Sequence, residues 1–441
     1  MSQDYEVIVA GGGPAGATAA FHLASRGKRV LVLDKARFPR EKVCGDGLTP
    51  RAVKALHLMG IDTNGPEWAR SEGLRIKGAG HTLELPWPEL NSWPGYALVR
   101  TRTDFDSLLL DRARDAGATV RESTEVVGPI TDDAGVVIGV EARTILEEDD
   151  AQPSLFDGSS EPARKRGRSK GEIERIHAPI VIACDGVASR FGQALGVKRI
   201  EQRPMGVAVR TYYESPRTHD TFLESYLELQ YGDDLLPGYG WIFPTPDGLV
   251  NVGLGLLSTS KHFQQVDYRG LLSNWVSDLP ADWKLTPETM TTPIRGAGLP
   301  MGFNRTALAK PGLMLVGDAA GAVNPFNGEG IAYAMETGEI AAGAAIEALA
   351  IGDPRRLKVY PERLRDAYEG YFILGRAFVK LIGEPKVMRF LTVHGLKRRQ
   401  LMAFALKVLA NLSEPRGGDA NDRMLNALVR IAPSINTVVG V

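Results

Sequence analysis

A short apolar run that leads directly into a cluster of glycines restricts the fold of this chain more than any other feature. Val7-Ile8-Val9-Ala10 predicts a buried strand, and Gly11-Gly12-Gly13-Pro14-Ala15-Gly16 has the spacing G-x-G-x-x-G at the start of a predicted helix, Gly16–Arg26. Asp34 follows the next predicted strand, Val30–Leu33, about 20 residues further on. Together these segments predict a βαβ unit that binds a dinucleotide, whereas the alternative is a glycine turn in a similar unit without a ligand.

The residue types of this motif suit a dinucleotide for physical reasons. Glycines allow the backbone to approach a pyrophosphate, and the free N–H groups at Ala15 and Gly16 would face it from a helix N-terminus. The carboxylate of Asp34 would accept hydrogen bonds from the ribose hydroxyls.

Two later segments also place an acid beside a glycine at the end of an apolar strand. They are Asp185-Gly186 and Gly317-Asp318. With the first motif, they resemble the FAD-binding set of the para-hydroxybenzoate hydroxylase fold. This resemblance implies that Asp318 holds the ribityl chain and that the loop 324–331 starts a helix under the flavin, whose positive end would stabilise negative charge on the reduced ring. The expected fold is therefore α/β, with a Rossmann-like FAD-binding domain, an antiparallel β substrate domain and a C-terminal helical region.

Two further signatures narrow the resemblance to one family. The run 38–51 contains Cys44-Gly45-Asp46-Gly47, and the run 236–244 reads Leu-Pro-Gly-Tyr-Gly-Trp-Ile-Phe-Pro. With the flavin motifs in the same order, residues 5–349 resemble the geranylgeranyl reductase family, and in particular its bacterial menaquinone reductases, which saturate a double bond in the prenyl tail of menaquinone. Archaeal members have one more residue before the tyrosine that matches Tyr239, so their lipid specificity transfers less well.

The motifs and the resemblance together imply a set of FAD contacts. Arg102 is expected to pair with the pyrophosphate, and the alternative is a surface ion pair with Asp106 at i, i+4. Val126 is expected to offer its backbone to the adenine, and the alternative is ordinary strand packing. The complete expected set is Gly11, Gly13, Pro14, Ala15, Gly16, Asp34, Lys35, Cys44, Gly45, Gly47, Arg102, Val126, Asp185, Gly317, Asp318, Pro325, Gly328, Gly330 and Ile331.

Three residues are the candidates for catalysis: Cys44, Tyr239 and Trp241. Reduction of an isolated alkene needs a hydride donor close to one carbon and an acid near the other, and cationic character on carbon is stabilised by aromatic faces. Tyr239 and Trp241 alternate with Gly240 and Ile242, so both should project from one face of a strand; the alternative is half-buried aromatic packing. Cys44 would gate the flavin or relay a proton, or only contact the cofactor. No metal site is expected.

The chain divides into three predicted parts. Residues 1–74, 97–195 and 290–355 are assigned to the FAD-binding domain, 75–96 and 196–289 to the β domain, and 356–441 to the helical region. Residues 147–171 carry an acidic and a basic block among Pro, Ser and Gly, and they predict a disordered loop between two paired strands. The basic amphipathic stretch Met388–Leu412 would rest on anionic lipid or pack against the flavin domain.

Composition excludes several classes of protein. The net charge of −1 argues against nucleic-acid binding, and two cysteines are too few for a disulfide framework or a cysteine-rich metal site. No secretion signal precedes the first strand and no run of about 18 apolar residues occurs. The expected location is the cytoplasm, with peripheral contact at the inner face of the cell membrane as a further expectation.

The absence of a second G-x-G-x-x-G motif bears on the electron donor, which is expected to be a transiently docked NAD(P)H or a reduced electron-transfer protein. The predicted function is FAD-dependent saturation of an isoprenoid C=C bond, with the prenyl tail of menaquinone as the first substrate. The alternatives are reduction of another geranylgeranyl lipid or diphosphate, a flavin-dependent monooxygenase or halogenase, and a prenyl carrier without catalysis.

Overall fold

The structure is a computed structural model that describes residues 5–145 and 170–439. Most of its helices follow the apolar periodicity of the sequence, and α1 begins with Pro14, whose fixed φ suits the first helical position. The α-helices are α1 Pro14–Ala24, α2 Pro50–Leu58, α3 Arg102–Asp115, α4 Arg190–Ala194, α5 Tyr268–Ser277, α6 Ile331–Ile351, α7 Val359–Ile382, α8 Pro385–Gly395, α9 Arg399–Leu409 and α10 Ala420–Val439.

The strands are between two and ten residues long. In chain order they are β1 Val7–Ala10, β2 Val30–Leu33, β3 Gly47–Leu48, β4 Ala69–Ser71, β5 Gly73–Gly78, β6 His81–Pro86, β7 Ala97–Val99, β8 Thr119–Arg121, β9 Thr124–Thr131, β10 Val137–Ile145, β11 Lys170–His177, β12 Ile180–Ala183, β13 Met205–Glu214, β14 Phe222–Tyr226, β15 Gln230–Tyr231, β16 Asp234–Leu235, β17 Gly238–Pro244, β18 Leu249–Leu257, β19 Arg295–Pro300, β20 Ala309–Lys310 and β21 Leu313–Leu315.

A mostly parallel sheet forms the first layer, in the order β20-β21-β12-β1-β2-β8. Its central strands β1, β2 and β12 are buried along their whole length, because helices cover the sheet and every residue of these strands is apolar. Parallel strands end at the same edge, so the turns that follow β1, β2, β12 and β21 meet there. This topology brings the glycine motif, Asp34, Asp185 and Asp318 to one edge.

A second sheet has the order β19-β13-β18-β17-β14-β5-β6. Its neighbours are antiparallel except for β14 and β5, which run parallel. Strand β19, which the sequence analysis assigned to the FAD-binding segments, is the edge strand of this sheet beside β13. Helix α9 packs near β6 of this sheet, and α8 packs near β16, which pairs with β15 in a separate two-stranded sheet.

Some element boundaries differ from the expected ones. The sequence also predicts one strand near 119–127, but the structure divides these residues between β8 and β9, because Ser123 adopts a left-handed conformation with φ of 48°. The basic stretch at 388–412 forms two helices, α8 and α9, and α10 follows within the expected helical region 356–441.

The loop predicted at 147–171 lies almost entirely outside the described residues. Strands β10 and β11, on either side of it, pair antiparallel as predicted. Across the described parts of the chain, every helix is too short or too polar to traverse a bilayer.

Candidate active site

One continuous cavity of about 730 Å³ connects the edge of the parallel sheet with one face of the second sheet and with α8 and α9. All but two of the expected FAD-contacting residues line it, as do the three candidate catalytic residues. The lining members are Gly11, Gly13, Pro14, Ala15, Asp34, Lys35, Cys44, Gly45, Gly47, Arg102, Val126, Asp185, Asp318, Pro325, Gly328, Gly330, Ile331, Tyr239 and Trp241.

The two exceptions, Gly16 and Gly317, hold the backbone in place behind the cavity. A Cβ on Gly16 would lie 1.8 Å from the carbonyl oxygen of Gly11, so only glycine lets α1 approach the turn after β1. Gly317 has φ of +61°, and a Cβ there would lie 2.9 Å from the Cβ of Ala15. Both glycines are required by close packing of the motifs on each other.

The glycine-rich turn offers an open, polar cradle. No side chain caps α1 at its N-cap residue Gly13, and a Cβ on Gly13 would have only a guanidinium nitrogen of Arg40 near it, at 3.4 Å. The carboxylate of Asp34 accepts hydrogen bonds from the backbone N–H of Gly12 at 2.7 Å and of Ala36 at 2.8 Å. These bonds fix the carboxylate and leave lone pairs for two ribose hydroxyls.

Arg102 pairs with Asp106, the partner that the sequence analysis considered as the alternative to the pyrophosphate. Nε of Arg102 donates to Oδ1 at 2.6 Å and Nη2 donates to Oδ2 at 2.8 Å. The pair is buried rather than at the surface, because Asp106 has no exposed area. Arg40 lies 3.0 Å from the same carboxylate and also faces Gly13, so it is the cation beside the glycine turn. Arg40 lies in the signature run 38–51, but the sequence analysis gave it no role.

A second uncapped helix N-terminus borders the cavity. Helix α6 begins after Gly330 with no side-chain cap and no acid in its first turn, so the partial positive charge of its N-terminus borders the cavity. Asp318 and Ile331 line the cavity at the same place. One carboxylate oxygen of Asp185 accepts from the N–H of Phe191 at 2.9 Å, and the other is buried without a hydrogen-bond partner among the described residues.

This donor set fits FAD. Two free helix N-termini, a glycine that leaves room for a phosphate, a carboxylate at the ribose position and a buried acceptor on Asp185 all face one cavity. In the described residues no group of three or more His, Cys, Asp and Glu side chains is arranged to hold a metal ion.

Aromatic rings on β17 form the wall of the cavity beyond the flavin motifs. The ring centroids of Tyr239 and Trp241 are 6.0 Å apart, and those of Trp241 and Phe243 are 6.3 Å apart. All three line the cavity, so Tyr239 and Trp241 project from the same face of the strand as expected. The Tyr239 hydroxyl donates to the carbonyl oxygen of Asn327 at 2.7 Å, which ties this wall to the loop before α6.

Asn251 joins the aromatic wall to the Cys44 loop. Trp241 Nε1 donates to Oδ1 of Asn251 at 2.9 Å, and Nδ2 of Asn251 donates to the carbonyl oxygen of Cys44 at 2.8 Å and to Asp46 at 2.7 Å. A Cβ on Gly45 would lie 3.4 Å from Trp241 Nε1, so the loop and the indole are in close contact. Sequence reasoning missed Asn251, because an isolated asparagine in a strand carries no motif.

Burial changes the titration of two groups in this loop. It raises the pKa of the Cys44 thiol, which therefore keeps its proton at neutral pH. It also raises the pKa of Asp46 to about 6, although Tyr212 and Asn251 donate hydrogen bonds to its carboxylate. Asp46 has φ of 63°, a left-handed conformation that bends the chain between the two glycines of the motif.

The far end of the cavity is apolar. It is enclosed by the second sheet on one side and by α8 and α9 on the other, and its lining residues there are Leu74, Ile76, Leu223, Leu227, Phe243, Met388, Leu391, Leu396, Leu401, Met402, Ala405, Leu406 and Leu409. Such a lining suits a branched hydrocarbon and offers few polar partners.

Comparison with known proteins identifies the family. The FAD binding domain family matches residues 4–152 and 140–230. The menaquinone reductase of Mycolicibacterium smegmatis is 35% identical over 95% of this chain and 94% of that protein. The digeranylgeranylglycerophospholipid reductase of Methanosarcina acetivorans is 32% identical over 84% of this chain and 80% of that protein.

A solved structure with the same fold comes from Thermoplasma acidophilum, a geranylgeranyl bacteriochlorophyll reductase-like protein. It aligns with a TM-score of 0.74 and 23% identity over 97% of this chain and 99% of that one. Its para-hydroxybenzoate hydroxylase-type fold agrees with the expected one. The chain belongs to the geranylgeranyl reductase family of FAD-dependent oxidoreductases.

Proposed function

We propose that this protein saturates an isoprenoid C=C bond in the prenyl tail of menaquinone, with FAD as its cofactor. The observation that carries the proposal is the continuity of the cavity, which runs from two uncapped helix N-termini, past Tyr239 and Trp241, into an apolar channel under α8 and α9. The family membership and the whole-length similarity to menaquinone reductases support it.

The protein's own residues would act mainly by positioning. When bound and reduced, FAD supplies a hydride from its N5 atom. An isolated alkene accepts a hydride poorly, so holding the alkene at the reacting distance is the larger contribution, and orientation of reactants is worth about 7–11 kcal/mol. Tyr239 and Trp241 would confine the alkene and face the carbon on which positive character develops. Asn251 would fix the position of the Trp241 indole relative to the Cys44 loop through its hydrogen bonds to both.

We infer that the substrate tail enters from a membrane between α8 and α9. Leu391 and Leu401 line the cavity and are 39% and 47% exposed, so its apolar end reaches the surface there. Phe390 beside them is 61% exposed. From 385 to 413 the chain has six Lys or Arg residues and no Asp or Glu, and the turn between the helices is basic. An apolar rim flanked by cations is complementary to an anionic lipid surface.

The electron donor is proposed to be NAD(P)H that docks transiently, or a reduced electron-transfer protein. Anaerobic mixing of the oxidised holoprotein with NADH, with NADPH or with a reduced ferredoxin, followed by flavin absorbance, separates these donors.

The test of the function is a single turnover without oxygen. The purified yellow protein is reduced, mixed with menaquinone and then exposed to air. The molecular mass of the recovered quinone is then measured by mass spectrometry. Because the naphthoquinone ring can itself oxidise a reduced flavin, reoxidation alone is not sufficient. A gain of two hydrogens that survives air oxidation of the quinol places the reduction in the tail.

Controls give each alternative its own outcome. Menadione, which has the ring but no tail, should reoxidise the flavin without any lasting mass change. If the protein reduces geranylgeranyl diphosphate or a geranylgeranyl lipid but not menaquinone, that compound and not menaquinone is the substrate. Oxygen-dependent hydroxylation or halogenation of a small aromatic compound would indicate the monooxygenase or halogenase alternative. A protein that binds the tail but shows no flavin turnover would be a carrier.

A further inference from the structure

Glu329 is a half-buried residue with a buried carboxyl oxygen, Oε2, and the sequence motifs left it without a role. It lies in the turn before α6 and lines the cavity together with Thr49 and Tyr239. Its backbone is fixed at both ends, because its N–H donates to Oδ1 of Asn327 at 2.9 Å and its carbonyl accepts from the N–H of Asn324 at 2.9 Å. The backbone of Glu329 is therefore fixed directly before the N-terminus of α6.

The two carboxyl oxygens of Glu329 have different surroundings. The hydroxyl of Thr49 donates a short hydrogen bond to Oε1. Oε2 is buried and has no hydrogen-bond partner in the described part of the chain. Burial raises the pKa of this carboxyl group to about 7. The charged and titratable groups that act on it electrostatically are Arg51 on α2, Glu336 and Tyr333 on α6, and Tyr239 on β17.

We propose that Glu329 is the proton donor of the alkene reduction, delivering the proton of Oε2 to the alkene carbon that does not receive the hydride. This inference rests on the proposed function. One C–H bond would form with the hydride that reduced FAD supplies together with both electrons when its N5–H bond breaks, and the second C–H bond would form with the proton of Glu329. The O–H bond of Glu329 and the alkene π bond break, and the resulting carboxylate regains its proton from solvent.

Other groups that line the cavity are less suitable donors. The Tyr239 hydroxyl already donates to the Asn327 carbonyl, and burial raises the pKa values of Tyr239 and Cys44. Both oxygens of Asp46 accept hydrogen bonds, from the N–H of Arg102 and from the side chains of Tyr212 and Asn251.

Asp185 also has an unpartnered oxygen, but it lies beside the glycine turn. A Cβ on Gly11 would lie 3.5 Å from its backbone nitrogen. The aromatic wall is instead next to the loop that carries Glu329, because the Tyr239 hydroxyl donates to the carbonyl oxygen of Asn327 at 2.7 Å.

The first test needs no substrate. Infrared difference spectra of the resting holoprotein, recorded from pH 5 to pH 9, should show the carbonyl band of a protonated carboxylic acid that disappears with a midpoint near 7. Glu329→Gln should remove that band, whereas Glu339→Gln on α6 should keep it; burial raises the pKa of Glu339 too, but this residue does not line the cavity. Because burial raises the pKa of Asp46 to about 6, its carboxyl group can give a second band, so Glu329→Gln is also made together with Asp46→Asn. A band with a midpoint near 7 that persists in that double variant overturns the proposal.

The second test follows single-turnover tail reduction against pH. The wild type should be fast at low pH and slow above about pH 7, and Glu329→Gln should be slowed at least about 100-fold, within the range of general acid catalysis. Any remaining pH dependence in that variant would belong to Asp46. Thr49→Val removes a hydrogen bond that lowers the pKa of Glu329, so it should move the midpoint of the wild-type profile to higher pH.

The outcomes separate this inference from the proposed function. If the wild type reduces no prenyl substrate, the proposed function fails whatever the infrared result. If the wild type reduces the tail and Glu329→Gln does so at the same rate and pH profile, Glu329 is not the donor and the proposed function stands.

Discussion

The two ends of the cavity are lined by different kinds of groups: backbone groups at the flavin end and apolar side chains at the tail end. At the flavin end, the positions of the ligand-facing groups depend on backbone: glycines at 11, 13 and 16, and helix N-termini without caps. At the tail end, leucines and methionines of α8 and α9 face a sheet, and this apolar lining acts through its shape and volume and not through individual hydrogen bonds. A backbone site tolerates almost no change of residue, whereas an apolar wall tolerates swaps of similar volume.

The sharpest break in this comparison should come from Gly16→Ala. The added Cβ would lie 1.8 Å from a backbone oxygen that cannot move away, so the free energy of unfolding should fall by about 3 kcal/mol or more and bound FAD should be lost. Thermal unfolding and the flavin-to-protein absorbance ratio measure this. Gly95→Ala is the matched control, because no heavy atom lies within 4 Å of a Cβ there; equal stability of the two variants would contradict the packing argument.

Trp241→Ala tests the aromatic wall between the two ends. Loss of the indole removes the face beside the alkene and the bond to Asn251, so tail reduction should fall at least about 100-fold while FAD stays bound. Single-turnover product formation and flavin content are the two measurements. Trp241→Phe keeps an aromatic face and should lose less. Unchanged turnover in the alanine variant would remove Trp241 from the reaction.

The tail end should depend on surface charge. Changing Lys397, Arg398 and Arg399 to Glu should weaken sedimentation with phosphatidylglycerol vesicles by about 100-fold, since each cation near an anionic surface contributes about 1 kcal/mol. The same change at Arg355, Arg356 and Lys358, an exposed basic turn before α7, should have little effect. Equal losses from both triplets would mean that binding follows net charge and not this surface.

At the flavin end, Arg40 and Arg102 contact the same carboxylate, that of Asp106, but they should have different roles. Arg40→Met should raise the dissociation constant of FAD about 10-fold, because Arg40 faces Gly13 and a charge-assisted hydrogen bond would be lost. Arg102→Met should instead lower stability, since buried Asp106 would lose its bidentate partner. Titration of the apoprotein with FAD and urea unfolding separate the two effects. The reverse pattern would restore Arg102 as the pyrophosphate ligand.

The smallest expected effect is a change of stability with pH. Folded Glu329 holds its proton up to about pH 7, whereas a glutamate in the unfolded chain loses it near pH 4.5. Its contribution to stability is therefore fully present below about 4.5 and is lost as pH rises through about 7. Between pH 5 and pH 8 the free energy of unfolding should therefore fall by about 1 kcal/mol less in Glu329→Gln than in the wild type. This value is smaller than the full pKa shift implies, because water in the cavity screens the carboxylate. Urea unfolding at both pH values measures it.

Much of the site was predictable because its motifs are local. The strand, glycine turn and helix of residues 7–24 lie where the spacing placed them, and Asp34, Asp185 and Asp318 reach one edge because parallel strands end together. Tyr239 and Trp241 share a face because side chains alternate along a strand. The division of 119–127 into two strands was missed, because a serine at positive φ has no reliable sequence signal.

Other contacts join residues far apart in the chain. Asn251 contacts the Cys44 loop although the two are more than 200 positions apart in the chain. Arg102 pairs with Asp106, and Arg40 contacts the same carboxylate and lies beside the glycine turn, only because three segments of the chain meet there. Glu329 was readable as part of a helix-starting loop, but its free oxygen and raised pKa follow from burial that only the packed structure creates.

By itself the sequence determined the family, the FAD motifs and the strand that carries the aromatic wall, because these depend on residue type and short-range spacing. The tertiary structure alone decided which cation faces the glycine turn, which carboxyl group is desolvated, and that α8 and α9 close an apolar channel. The physical reason is that burial and electrostatic pairing are properties of neighbours in space, and those neighbours come from segments that the chain brings together only when it folds.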